Sequence, residues 1–148
     1  MKKLLKIILV ILWMSVIFCF SNQKAEDSSK LSDGVIIKVA KIFVRDDITQ
    51  TKKEKLIEKY TFVIRKLAHF TVYLILGILV INMLSSFNLK NLITISILIC
   101  FTYALSDEFH QLFVDGRSCE LRDVLIDTIG SFIGIFIYNV FKKRLIKK

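Results

Sequence analysis

Residues 67–84 read LAHFTVYLILGILVINML, an apolar run without a single Lys, Arg, Asp or Glu. At a rise of about 1.5 Å per residue, a helix over this run reaches roughly 27 Å, close to the ~30 Å hydrocarbon core of a bilayer. The run therefore predicts a membrane-spanning helix. We place this helix at about 62–84, with His69 near its start.

Three further apolar runs surround it, and they predict spanning helices at about 4–20, 92–113 and 121–141. The chain is 54% hydrophobic and has no proline, and its apolar residues stand in long runs instead of narrow stripes. We predict an all-α integral membrane protein, a single domain over residues 1–148 with a four-transmembrane-helix bundle. The first run also resembles a signal peptide, but residues 20–23 are a poor cleavage site, so we expect it to be retained.

The segment 21–61 between the first two spans is mixed and charged. Apolar residues recur in it at helical spacing: Leu31, Val35, Ile36, Val39, Ile42 and Phe43. This pattern suits an amphipathic helix in the membrane interface and, equally, an amphipathic helix packed on the other helices. Thr51 and Glu54 have the spacing of a capping box, which would start the helix that continues into the second span.

The formal net charge is +9, with lysines concentrated at both termini. Because these charges flank apolar runs, contact with anionic headgroups explains them better than nucleic acid, and we expect no nucleic-acid partner. Basic ends favour a multi-pass protein of the plasma membrane with both termini cytoplasmic, which an even number of spans satisfies. Segment 21–61 is then extracytoplasmic.

The third and fourth runs are too short to span without carrying acidic residues into the membrane. Residues 92–105 are uncharged but reach only about 21 Å, so Asp107 and Glu108 must lie at membrane depth. The fourth run likewise draws in Asp127 and Asp123. Antiparallel threading puts these carboxylates on the same side as the start of the second span, and ionisable groups at membrane depth indicate a functional site.

Helical spacing aligns several of these side chains. Arg65, His69 and Tyr73 share one face of the second span. Gly130 and Gly134 form a small-xxx-small pair that lets another backbone approach the last span closely. The predicted ligand-binding residues, all near the outer membrane boundary, are Arg65, Lys66, His69, Tyr73, Asp107, Glu108, His110, Gln111, Arg117, Asp123 and Asp127.

Two other interpretations of this cluster stay open. In one, the charges only hold the bundle together, with Arg65 or Arg117 paired to Asp107, Asp123 or Asp127. In the other, the side chains are catalytic acid–base groups, for which the candidates are Asp107, Glu108, His69 and Asp123. His69, His110, Asp107 and Glu108 include metal-ligand types, but their spacing is not a specific metal motif. We assign no metal ligand and no cofactor.

The polar blocks resemble those of the VanZ-like family of bacterial membrane proteins. They are Arg65-Lys66-x-x-His69-Phe70-x-x-Tyr73-x-x-x-Gly77, Ser106-Asp107-Glu108-x-His110-Gln111, Gly116-Arg117-Ser118 and Asp123-Val124-x-x-Asp127-x-x-Gly130. Ser21-Asn22-Gln23 is a looser match to a Ser-x-Gln segment. Asp115 stands where the family often has proline, and Asp-Gly also turns readily. The resemblance implies an association with resistance to glycopeptide antibiotics, teicoplanin in particular.

These observations lead to two functional hypotheses. The first is a non-enzymatic envelope protein that binds a lipid, a glycolipid or a lipid-tailed glycopeptide through its cations at an outer-leaflet polar site. Its partners are then membrane lipids or a lipid-linked envelope precursor. The alternative is a membrane-embedded enzyme that acts on a lipid-linked substrate with the same Arg/His/Asp/Glu cluster. A transporter is disfavoured by the few helices and the lack of a visible inverted repeat.

Overall fold

The computed structural model describes residues 2–43 and 50–146, and this part of the chain contains helices and no strand. The helices are α1 (Lys2–Ser21), α2 (Ala25–Phe43), α3 (Gln50–Leu84), α4 (Leu92–Gln111) and α5 (Leu121–Ile146). The predicted all-α fold, with an amphipathic helix between the first two spans, is confirmed.

Four of these helices are long and apolar enough to cross a membrane: Lys2–Ser21, Lys53–Leu84, Leu92–Gln111 and Leu121–Lys142. The third ends two residues before the predicted position. After Gln111 the backbone N–H groups of Leu112 and Phe113 bond three residues back, to Phe109 and His110, and such a tightened last turn closes a helix.

Contacts between the helices fix their directions. Lys6, near the start of α1, donates a hydrogen bond to the carbonyl of Asn82, near the end of α3. Tyr138 in α5 donates to the side chain of that same Asn82. The start of α1 and the late part of α5 therefore lie at one end of the bundle. Residues 21–25, 61–69, 107–111 and 112–123 lie at the other, which we call the polar end.

Glycines allow α3 and α5 to pack backbone against backbone. A Cβ atom on Gly77 would clash with the carbonyl of Ser131, and one on Gly130 with the carbonyl of Phe70. At Gly134 the obstacle is the carbonyl of Leu74. The small-xxx-small interpretation is confirmed, because only glycine permits this approach.

Helix α2 packs against α3 at the polar end. Ser32 and Ile36 are buried, and Thr61 of α3 donates a hydrogen bond to Asp33 at 2.8 Å. Leu31 and Val35, which neighbour these residues on α2, are exposed. The predicted packing of this amphipathic helix on the other helices is confirmed, while its placement in the membrane interface stays a prediction.

Candidate functional site

A cavity of about 230 Å³ opens at the polar end, between the end of α1, the middle of α2, the start of the apolar part of α3 and the end of α4. Its walls are mainly apolar, with Ile17, Leu31 and Val35 among the lining side chains. The charged and polar lining residues include Arg65, His69, Asp107 and Arg117. The site is therefore amphiphilic, with apolar walls and charged side chains.

Arg117 reaches the cavity from the loop between α4 and α5. The preceding Gly116 has φ +74°, a left-handed conformation that favours glycine and turns the chain inward at the predicted Asp-Gly turn. The Arg117 guanidinium donates to the carbonyl of Gln23 at 3.1 Å and to the Gln111 side chain at 3.4 Å. Both acceptors are neutral.

The charge of Arg117 is poorly compensated in the protein alone. Burial lowers the pKa of Arg117 from its ordinary value, and the nearby positive charge of Arg65 lowers it further. Carboxylates at Asp107, Glu108 and Asp123 raise this pKa but act more weakly than these two causes. An anion in the cavity would act in the same direction as those carboxylates and stabilise the charged form.

The expected arginine–carboxylate pairs do not form. Within residues 2–43 and 50–146, ion pairs join lysine or histidine, not arginine, to carboxylates. The prediction that Arg65 or Arg117 pairs with Asp107, Asp123 or Asp127 is thus wrong for the described part of the chain. Arg117 instead donates hydrogen bonds to the neutral carbonyl of Gln23 and the side chain of Gln111.

Lys66 is the cation that joins two elements at this end. Its ammonium contacts the carboxylate of Asp123 at the start of α5 and lies 3.3 Å from that of Glu120. The side chains of Lys66 and Asp123 are only 17% and 10% exposed. Lys66 was predicted to contact a ligand. In the structure it connects α3 to the start of α5.

Glu108 is buried and anchors the loop that leads into α5. One carboxylate oxygen accepts the backbone N–H of Glu120 at 2.9 Å, and the other accepts the Gln111 amide at 3.1 Å. Gln111 in turn accepts a hydrogen bond from Arg117. Hydrogen bonds therefore connect the N–H of Glu120, through Glu108 and Gln111, to Arg117 at the cavity.

His69 of α3 and Asp127 of α5 face each other. The Nδ1 atom of His69 lies 3.5 Å from Oδ1 of Asp127, whose side chain is fully buried. A ligand atom of Glu108 joins them, and the three ligand atoms lie within 4.8 Å of one another. These three residues are the described ones with the geometry to hold a metal ion.

Two predicted residues contact aromatic rings. His110 stacks on Phe18, with ring centroids 4.6 Å apart, and its Nε2 lies 3.3 Å from the side-chain oxygen of Asn22. Tyr73 is completely buried beside Tyr103, at 6.1 Å between ring centroids. The packing of Tyr73 is that of a core residue.

Sequence reasoning missed two contributors. The Gln23 carbonyl binds Arg117, and the matching Ser21-Asn22-Gln23 segment was the available signal. Glu120 pairs with Lys66 and donates its N–H to Glu108, and nothing in its spacing indicated either contact. Cys19 and Cys119 are exposed free thiols and form no disulfide.

The helices define a multi-pass helical membrane protein. The chain belongs to the VanZ/LLP1 family, which it matches over residues 6–142, nearly its whole length. The resemblance seen in the polar blocks is thereby confirmed. No curated protein and no solved structure matches the chain.

Proposed function

We propose that this VanZ-like protein binds an amphiphile with an anionic group, a lipid, a glycolipid or a lipid-tailed glycopeptide, in the cavity at its polar end. The observation that carries the proposal is that Arg65 and Arg117 line the same cavity as the apolar walls. Neither arginine is ion-paired to a described carboxylate. A phosphate or carboxylate headgroup meets the guanidinium groups, and an acyl chain meets the walls.

Arginine suits this role better than lysine. Its planar guanidinium binds phosphate or carboxylate through two parallel hydrogen bonds, and it is less strongly hydrated than an ammonium group. At about 4 Å and an effective dielectric constant of about 20, one such contact contributes up to roughly 4 kcal/mol of attraction. Two guanidinium groups therefore favour an anionic headgroup over a neutral one.

Helix α2 contributes the outer wall of the site. Leu31 and Val35 line the cavity and are also exposed. Apolar side chains that are both exposed and part of the cavity lining are suited to contact an acyl chain that enters the cavity from the surrounding lipid. The helix thus acts as a cover over the bound tail.

The lysines at the termini and the family suggest where the protein acts and which phenotype to examine. Lysine-rich termini support an orientation in the plasma membrane with both ends in the cytoplasm and the polar end at the outer leaflet. Envelope lipids and lipid-linked precursors are exposed there, as are lipid-tailed glycopeptides. The VanZ resemblance makes teicoplanin resistance the phenotype to examine first.

Mass spectrometry of co-purified lipids tests the proposal. Wild type and Arg65→Ala should be extracted in a mild detergent and their bound lipids compared. We expect an anionic amphiphile with wild type and its loss with Arg65→Ala. Arg122→Ala is the matched control, since Arg122 is exposed in α5 near the same end and does not line the cavity. Equal retention by all three proteins would contradict the proposal.

A membrane-embedded enzyme is the second candidate, and one observation favours it. Asp107 lines the cavity, is 3% exposed, and neither of its carboxylate oxygens has a hydrogen-bond partner. Such a carboxyl group is free to exchange a proton with a bound substrate. Asp107→Asn should then abolish turnover while amphiphile binding persists. Loss of binding alone would assign Asp107 to positioning.

A further inference from the structure

A second polar cluster lies where α3, α4 and α5 meet. It consists of His69, Glu108 and Asp127, one from each helix, with ligand atoms that all lie within 4.8 Å of one another. Only His69 of the three also lines the cavity. We call these residues the three-helix cluster.

The carboxylate of Asp127 is buried with few polar contacts. The side chain is 0% exposed; Oδ1 lies 3.5 Å from Nδ1 of His69 without good hydrogen-bond geometry, and Oδ2 has no described hydrogen-bond partner. Buried carboxylates are normally hydrogen-bonded or paired, because an unpaired one carries a large desolvation penalty. The oxygens of Asp127 lie in the cluster with a carboxylate oxygen of Glu108, so both carboxylates are placed to bind one cation.

Among the described residues, Asp127 has His69 as its ion-pair partner, and no lysine or arginine contacts it. Lys66, the nearest lysine in sequence, is paired with Asp123 and Glu120. Arg117 donates to neutral acceptors at the cavity. The cluster is left with two carboxylates against one imidazole, which is neutral when it ligates a metal.

We infer that the three-helix cluster binds a divalent transition-metal ion of the Mn²⁺ or Zn²⁺ type. One imidazole nitrogen with two carboxylate groups is a mixed N/O donor set, whereas Mg²⁺ and Ca²⁺ are bound mainly by oxygen. Glu108 is held in place by the Glu120 N–H and the Gln111 amide. Outer hydrogen bonds of this kind orient metal ligands.

Such an ion has two consequences for the protein. It compensates the charge of Glu108 and Asp127 inside the bundle and ties α3, α4 and α5 together. Three protein ligands also leave a coordination position open for water or an anionic ligand. His69 belongs to the cluster and to the cavity wall, so metal binding fixes one side chain of the cavity.

The inference does not rest on the proposed lipid binding. Metal binding is measured on delipidated protein, and lipid binding is measured in the presence of EDTA. A protein that binds the metal but no amphiphile would overturn only the proposed function. The reverse result would overturn only the inference drawn from the cluster.

The experiment uses the full chain, purified without a polyhistidine tag, stripped with EDTA and dialysed against MnCl₂. We expect about one Mn²⁺ per chain by elemental mass spectrometry, and a thermal stabilisation that increases with the metal concentration. Pulsed electron paramagnetic resonance should show coupling to a ¹⁴N nucleus, the signature of an imidazole ligand. Folded wild type without bound Mn²⁺ would overturn the inference, whatever the variants do.

The chain has only two histidines, so the nitrogen ligand can be assigned with one pair of variants. His69→Gln should lose the ¹⁴N coupling, and the matched control His110→Gln should keep it. Glu108→Gln should weaken Mn²⁺ binding at least tenfold. Coupling that survives His69→Gln, or disappears with His110→Gln, would overturn the inference. Trp13 fluorescence verifies that each variant is folded.

Discussion

Removing Lys66 should destabilise the bundle more than removing its partner Asp123. Lys66→Met leaves the Asp123 carboxylate, only 10% exposed, without a described cation in contact. Breaking a buried pair in this way costs roughly 3–5 kcal/mol. Asp123→Asn leaves Lys66 with Glu120, 3.3 Å away and more exposed, so the loss should be about 2 kcal/mol.

The single tryptophan provides the assay. Trp13 donates its indole N–H to the carbonyl of Val72 at 2.9 Å, so its fluorescence reports the docking of α1 on α3. Unfolding free energies should be measured by titrating an unfolding detergent into the solubilised protein. Lys55→Met is the matched control, because Lys55 is exposed on the same helix and should change stability by less than about 0.5 kcal/mol.

The double variant Lys66→Met/Asp123→Leu sharpens this prediction. With both charges removed, no buried charge is left without a partner, so much of the loss caused by Lys66→Met should be recovered. Equal losses for Lys66→Met and Asp123→Asn would refute the reasoning. So would a double variant whose losses simply add.

Three further predictions concern packing, charge and topology. Gly134→Ala should cost about 1–3 kcal/mol by forcing α3 and α5 apart, whereas Gly34→Ala, which meets no atom within 4 Å, should not destabilise. The 2.8 Å Lys24–Asp115 ion pair lowers the pKa of Asp115 below 3.8 and raises that of Lys24 above 10.5. In hydrogen exchange, wild type should therefore protect α2 better than Asp115→Asn at neutral pH. This difference should disappear as the pH falls through the pKa of Asp115 or rises through that of Lys24. Reporter fusions after the last residue and between α1 and α3 should lie on opposite sides of the membrane, and a cytoplasmic α1–α3 segment would contradict the proposed orientation.

The spans and the gathering of polar residues could be predicted from the sequence because both follow from length. An apolar run has to match the bilayer, and runs that are too short draw Asp107 and Glu108 into the bundle. Antiparallel connections then bring one end of each helix together. A close backbone neighbour of α5 was also predictable, since Gly130 and Gly134 admit one, but this stripe did not indicate that the neighbour is α3.

The pairing of the charges could not be predicted. Arg65 and Lys66 are neighbours in sequence, but successive helical residues point about 100° apart. Which of them faces α5 depends on the rotation of α3, and that rotation is set by the glycine contacts. Lys66 therefore meets Asp123, while Arg65 faces the cavity. The arginine–carboxylate prediction failed at this step.

The contribution of Glu120 was hidden for a similar reason. It precedes α5 in an irregular loop, where no periodicity indicates the direction of a side chain or of a backbone N–H. Its contacts with Lys66 and Glu108 exist because the loop closes over the polar end.

The affinity of the purified protein for an anionic lipid relative to a neutral one tests the central claim most directly. Native mass spectrometry should be used to titrate wild type, Arg65→Gln and the control Arg122→Gln with phosphatidylglycerol and phosphatidylcholine. Arg65 is suited to this test because it makes no hydrogen bond or ion pair with other described residues, so its replacement leaves the surrounding contacts in place. Wild type and Arg122→Gln should prefer phosphatidylglycerol. Arg65→Gln should lose about 1.4 kcal/mol or more, at least tenfold in affinity, for that lipid alone. Equal affinity of folded wild type for the two lipids, or a preference unchanged by Arg65→Gln, would contradict the account.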